Sequence, residues 1–254
     1  MVVQHNITSM NANRNLGIVG GNLQKASEKL SSGYRINRAG DDAAGLAISE
    51  KMRSQVRGLQ RASDNAADGI SAIQTAEGVM DAQHQIAQRA RELLVQYKNS
   101  AVLTSTDKAK ISTELSQLVE EFSRIVTQTE FNKVKVGSIS GNLQVGANSG
   151  QTISIKASFV TTLTTTSIAN IDNIIGSVST NRATLGAKQN RLEYTIKVLD
   201  NSAENLSAAE SRIRDTDMAE EMTKFSKENI LQQAATSMLS QANQANQGVL
   251  SLLQ

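Results

Sequence analysis

The chain has 254 residues, with 26 lysines and arginines against 24 aspartates and glutamates, so a formal charge of +2 creates no strong field for nucleic acid or an acidic membrane. It has no cysteine, which excludes thiolate chemistry, disulfide scaffolding and Cys-based zinc sites, and no proline, so nothing in it forces a helix to break. Aromatic residues make up only 3%, which leaves a core of small aliphatics and alanine suited to helix-on-helix packing.

From the N-terminus, the opening MVVQHNITSMNANRN lacks the charged start and apolar run of a secretory signal, and no stretch approaches the ~18 apolar residues of a membrane span. Ala12, Leu16, Val19, Leu23, Ala26 and Leu30 then recur in alternating steps of four and three, a heptad seam. Gly17, Gly20 and Gly21 interrupt it, each costing roughly 1 kcal/mol relative to Ala, so this helix calls for a partner. Ser31-Ser32-Gly33 reads as its stop, and Asp41-Asp42 as the cap of the next helix. From about Ala43 to Tyr97 no strong breaker occurs; such a helix would run roughly 80 Å, longer than a compact globule is wide, and predicts a rod. A polar break precedes a third seam at Ile111, Leu115, Leu118, Phe122 and Ile125.

The period changes to two at Leu143, Val145, Ile153 and Ile155, on either side of Gly146 to Gly150, which predicts a β-hairpin over about 142–156. Residues 158–168, rich in Thr and Ser, read as loop or short strand. Leu185, Leu192, Leu199, Leu206 and Ile213 stand seven apart, and a last seam, Leu231, Ala235, Met238, Ala242, Ala245, Val249 and Leu252, reaches the C-terminus. The expected fold is mainly α: a long antiparallel helical bundle or coiled-coil rod with a small β-hairpin, its N- and C-terminal helices paired. The uncharged, amide-rich stretch 241–247 in the last seam suits burial among several copies of the chain, or else an amphipathic tail.

Catalytic constellations are hard to find. The only histidines are His5 and His84, and neither starts an HExxH motif; GxGxxG, GxxxxGK[ST] and GxSxG are also missing. No catalytic, cofactor-binding or metal-binding residue is assigned. Asp41-Asp42 and Glu120-Glu121 read as a cap and a solvated face. Arg53, Arg57 and Arg61, four apart, form a basic stripe that could meet phosphate or an acidic neighbour but reads more simply as solvated surface. Nearly balanced charge and scarce aromatics argue against nucleic-acid binding.

Several segments resemble bacterial flagellin: LSSGYRINR (30–38), DDAAGLAI (41–48), NAADGI (65–70), RELLVQ (91–96) and TEFN (129–132). NRATLGA (181–187), QNRL (189–192), ENLSAA (204–209), SRI (211–213), ILQQA (230–234) and VLSLL (249–253) agree at the other end. The resemblance covers nearly the whole chain; what it lacks is the outer variable domains of larger family members, replaced by the short junction at about 158–168. It implies a structural subunit, not an enzyme, that polymerises into the extracellular filament used for swimming. Residues 1–42 with 215–254 would form an inner coiled-coil domain, and 43–214 a helical rod. Leu16, Val19, Leu23, Leu30, Leu231, Met238, Ala245, Val249 and Leu252 would then carry assembly. Ordering of the terminal segments would be coupled to polymerisation. The resemblance further implies export by the flagellum's own apparatus, a chaperone on the C-terminal helix from about Met218 to Leu253, contacts with filament cap and hook–filament junction proteins, and no membrane insertion. It also implies recognition by the host toll-like receptor 5 through Arg89, Leu93 and Glu114. The hook–filament junction protein shares the terminal helices, and a helical binding module that never polymerises shares the periodicity; the match at 241–253 and the compact hairpin favour the filament subunit.

Overall fold

A computed structural model describes residues 6–99 and 101–251, with side-chain surroundings through residue 244. Of the expected assembly residues, Leu252 and the side chains of Ala245 and Val249 lie outside the described residues. Five helices dominate: α1 (Ile7–Ser32), α2 (Ala43–Lys98), α3 (Ser105–Gln128), α4 (Ile168–Arg214) and α5 (Met218–Ser251). Two antiparallel hairpins, β1 (Glu130–Phe131) with β2 (Val134–Lys135) and β3 (Ser140–Gln144) with β4 (Thr152–Lys156), lie between α3 and α4. The fold is therefore mainly α, as the sequence predicts. The chain divides into two compact units, Met1–Ser54 with Leu206–Gln254, and Gln55–Asn205.

In the first unit α1 packs on α5. The Asn6 amide donates to the Ala242 carbonyl at one end, and the Thr216 amide to the Gly33 carbonyl at the other, so the two helices run antiparallel. Asn6 also caps α1 by accepting from the Ser9 amide. The helix stops at Gly33, whose φ of 74° is left-handed and whose N–H satisfies the Lys29 carbonyl. Asp42, as predicted, caps α2, accepting from the Gly45 amide at 2.9 Å.

The second unit holds the larger core. Along α4, Ile171, Val178, Leu185, Leu192 and Leu199 are buried, so the seven-residue repeat begins two heptads earlier than the sequence suggests. Leu185, Leu192 and Val178 pack with Ile73 and Met80 of α2, Ile153 and Ile155 of β4, and Val136. A second cluster joins Ala87, Ala90, Leu93 and Leu94 of α2 to Ile111, Leu115 and Phe122 of α3 and Ile171 of α4. Between β4 and α4 the chain is irregular, yet Ala157 and Leu163 are buried and the fully buried Gln83 amide donates to the Val160 carbonyl at 2.8 Å. That bond fixes the junction segment to α2. The β1–β2 turn, missed in the sequence, places Asn132 and Lys133 at φ of 51° and 64°, the two left-handed positions of a tight hairpin.

Candidate functional site

The α1–α5 pair carries two kinds of face. On α1 the predicted seam holds: Ala26 is buried, and Ala12, Leu16, Val19, Leu23 and Leu30 are half-buried. On α5 the residues shielded by α1 are Glu221, Phe225, Glu228, Gln232, Ala235, Leu239 and Ala242, again in steps of four and three. Ala235 and Ala242 are shielded as expected, and the expected register is corrected at a leucine and a methionine of the same seam. Leu231 and Met238, read as seam residues, lie one position off that stripe and are 40% and 59% exposed. Met218, Met222 and Ile230 are exposed with them, as are Ile7, Met10 and Ile18 on α1. The pair thus uses a partly polar stripe of α5 internally and leaves several large apolar side chains of both helices to solvent. Among the described residues, each helix shows large apolar side chains with nothing to cover them, an arrangement that marks an association surface.

The connectors that end α1 and begin α5 form a clasp that sequence reasoning did not find. Tyr34 pairs with Asp215 in an isolated antiparallel bridge, the Arg35 amide donates to the Arg214 carbonyl, and the Arg35 guanidinium donates to the carbonyls of Arg212 and Ile213. Two guanidiniums stand over the Tyr34 ring, Arg214 at 4.8 Å and Arg53 at 5.8 Å from its centroid. Arg53 also pairs with Glu210 at 3.3 Å and Arg214 with Glu50 at 2.6 Å. Arg53 is thus not the free solvated cation that its spacing with Arg57 and Arg61 suggested. Its signal was the single aromatic in the loop after Gly33.

Arg89 and Glu114, expected at a receptor surface, are brought together across α2 and α3. The Arg89 Nη2 donates to Glu114 Oε1 at 3.0 Å and Nη1 to Glu92 Oε2 at 3.2 Å. These hydrogen bonds, that to Glu114 foremost, raise the guanidinium pKa above its ordinary value, so the charge is permanent. Both side chains are about half exposed, whereas Leu93 is only 2% exposed. The expectation of Leu93 as a surface anchor is corrected on this point: it lies in the α2–α3–α4 cluster, because its place in the Val79–Ile86–Leu93 series turns it toward Ile111 and Leu115.

Among the described residues no group of three or more His, Asp or Glu side chains stands close enough to hold a metal ion, and no helix is long and apolar enough to cross a membrane.

Comparison with known proteins matches both halves of the chain. Residues 3–142 match the family model of the bacterial flagellin N-terminal helical region, and 168–253 that of the C-terminal helical region. Over the full length of both proteins, the chain is 53% identical to a flagellin of Halalkalibacterium halodurans and 45% identical to a flagellin of Bacillus subtilis. It is also 45% identical over full length to the flagellar filament 33 kDa core protein of Treponema phagedenis. A crystal structure of Bacillus cereus flagellin superposes with a TM-score of 0.48 at 26% identity, covering 58% of this chain and 94% of that one.

Proposed function

Because the chain belongs to the bacterial flagellin family, a family of structural proteins and not of enzymes, we propose that it polymerises into a flagellar filament through the outer faces of its α1–α5 pair. One observation carries this reading: Ile7, Met10 and Ile18 on α1, and Ile230, Leu231 and Met238 on α5, are large apolar residues left outside the seam. Residues 1–42 with 215–254 act as the inner domain of the filament, and 43–214, with its hairpins, as the outer one. Leu16, Val19, Leu23 and Leu30 hold the inner pair together. Leu231 and Met238, which lie outside that pair's seam, meet neighbouring subunits.

The same exposed stripe of α5 suits an export chaperone, which would cover it before assembly. The reading extends to passage through the flagellum's own export apparatus to the extracellular filament and to contacts with cap and hook–filament junction proteins, which membership of the family supports. Recognition by toll-like receptor 5 is supported by the exposed Arg89–Glu114 pair, with Leu93 holding the α2–α3 contact beneath it. The test is electron microscopy of the purified full chain seeded with short filament fragments, with sedimentation alongside. Long filaments are expected; a persistent monomer whose termini are intact by mass would sink the reading.

A further inference from the structure

Two surface patches of the Gln55–Asn205 unit combine apolar surface with single charges of opposite sign. The first is a stripe on α4, on the side away from Leu185, Leu192 and Leu199: Ala187, Arg191, Tyr194 and Val198, in steps of four, three and four. Tyr194 is 68% and Val198 63% exposed, and the Lys197 ammonium stands 5.5 Å from the Tyr194 ring centroid. An aromatic ring held over a helix with two rotatable bonds is a pre-organised anchor. Arg191 makes no ion pair among the described residues.

The second patch is a groove of about 360 Å³ between α2 and the two hairpins, walled by Phe131, Val134, Ile139, Leu143 and Ile155. Gly69 lets the β3–β4 hairpin approach α2 closely at its floor: a Cβ there would come within 2.6 Å of the Leu143 side chain. Asp68 is the one carboxylate lining the groove, no lysine or arginine lines it, and Asp68 has no ion-pair partner among the described residues. The groove is thus an apolar slot with one unpaired negative charge, and the stripe is an aromatic anchor beside an unpaired positive one.

We propose that the α4 stripe of one copy seats in the hairpin groove of the next, with Tyr194 in the slot and Arg191 against Asp68. The inference rests on the filament reading above. The two patches share no residue, so the contact is head-to-tail; repeated by a rotation that does not close, it generates an open helical array and not a dimer. Two oppositely charged partners on one chain also set the register of each incoming subunit, because a slipped contact leaves both charges unpaired.

The absence of cysteine from the chain makes the test direct. Full-length Tyr194→Cys and Ser140→Cys variants, the second at the groove, are copolymerised on wild-type seeds and treated with a short bifunctional maleimide. A cross-linked dimer containing one chain of each variant is expected in filaments and not in unpolymerised chains. Filaments without that dimer, or with links only between two Tyr194→Cys chains, overturn the pairing and leave the filament reading standing. Failure of the wild-type chain to elongate seeds overturns both. Should the thiol variants themselves not polymerise, the charge pair decides. Arg191→Glu should raise the critical concentration for elongation about tenfold, and Asp68→Arg in the same chain should restore it; no restoration overturns the proposal.

Discussion

A carboxylate introduced at position 16 and one at position 231 would meet different surroundings. Leu16 is half-buried against α5, so Leu16→Asp buries a charge without a partner and should cost the monomer about 2 kcal/mol as well as its filaments. Leu231 lies on the uncovered stripe, so Leu231→Asp should leave the circular dichroism of the monomer unchanged and abolish seeded elongation. Equal loss of helix in both variants would contradict the register described for α5. Arg89→Ala removes only exposed contacts; it should leave the melting temperature nearly unchanged and lower the response of a toll-like receptor 5 reporter. An undiminished response would remove Arg89 from the recognised surface. Position 93 cannot serve the same test, because emptying a buried leucine site costs about 2–5 kcal/mol and any loss of response would report unfolding. At this scale the sequence was legible in residue type and ambiguous in direction. Leu231 and Gln232 begin stripes of the same period, and hydrophobicity selects the first; α1 covers the second, where Glu228 and Gln232 meet it. A register chosen for its apolar content identifies what wants covering, not which partner covers it.

Helices α2, α3 and α5, together with the β3–β4 hairpin, could be read from period and punctuation because long runs average out local exceptions. The start of α4 could not: between Ile171 and Leu185 the buried positions are diluted by Gly176, Ser177, Ser179, Thr180 and Asn181, which resemble a loop in composition. The β1–β2 hairpin escaped because Asn132-Lys133 lacks the glycine that usually marks two left-handed residues. The N-terminus of α3 makes its own prediction. Thr104 accepts from the Asp107 amide, and its hydroxyl donates to the Asp107 carboxylate at 2.6 Å, which holds that carboxyl below its ordinary value of 3.8. A pKa depressed by folding contributes stability above the unfolded value and loses it as pH falls through the folded one. Amide exchange at residues 105–108 should therefore accelerate on acidification below about pH 4, and Asp107→Asn should flatten that dependence. The junction segment offers a further check. Gln83→Leu strips the Val160 carbonyl of its donor while removing a buried, unpaired Gln83 Oε1. The lost donor weighs more, so the melting temperature should fall by about 2–4 °C, with exchange protection lost chiefly at 157–167.

For the whole molecule, the decisive fact is that segments from the two ends of the chain form one unit, with hydrogen bonds such as Asn6 to Ala242 spanning 236 positions. Two seams of matching period, one at each end, made that pairing legible in the sequence. The clasp that secures it was not, since cation–aromatic contacts and main-chain bridges leave no periodic trace. Tyr34→Ala removes the ring that Arg53 and Arg214 share, and it should raise amide exchange at 29–36 and 214–217 while leaving the 55–205 unit protected. Uniform exchange along α1 and α5 would assign the clasp no role. Its position also dictates an order of events. Closing a loop of this length is entropically costly, but only the first contact bears that cost. Once Gly33 and Thr216 are joined, each further turn of α1 finds α5 already beside it at high effective concentration. The pair is placed to close like a zipper from the clasp outward along α1 and α5 and to open in reverse, so the Asn6–Ala242 bond is the last to form and the first to part.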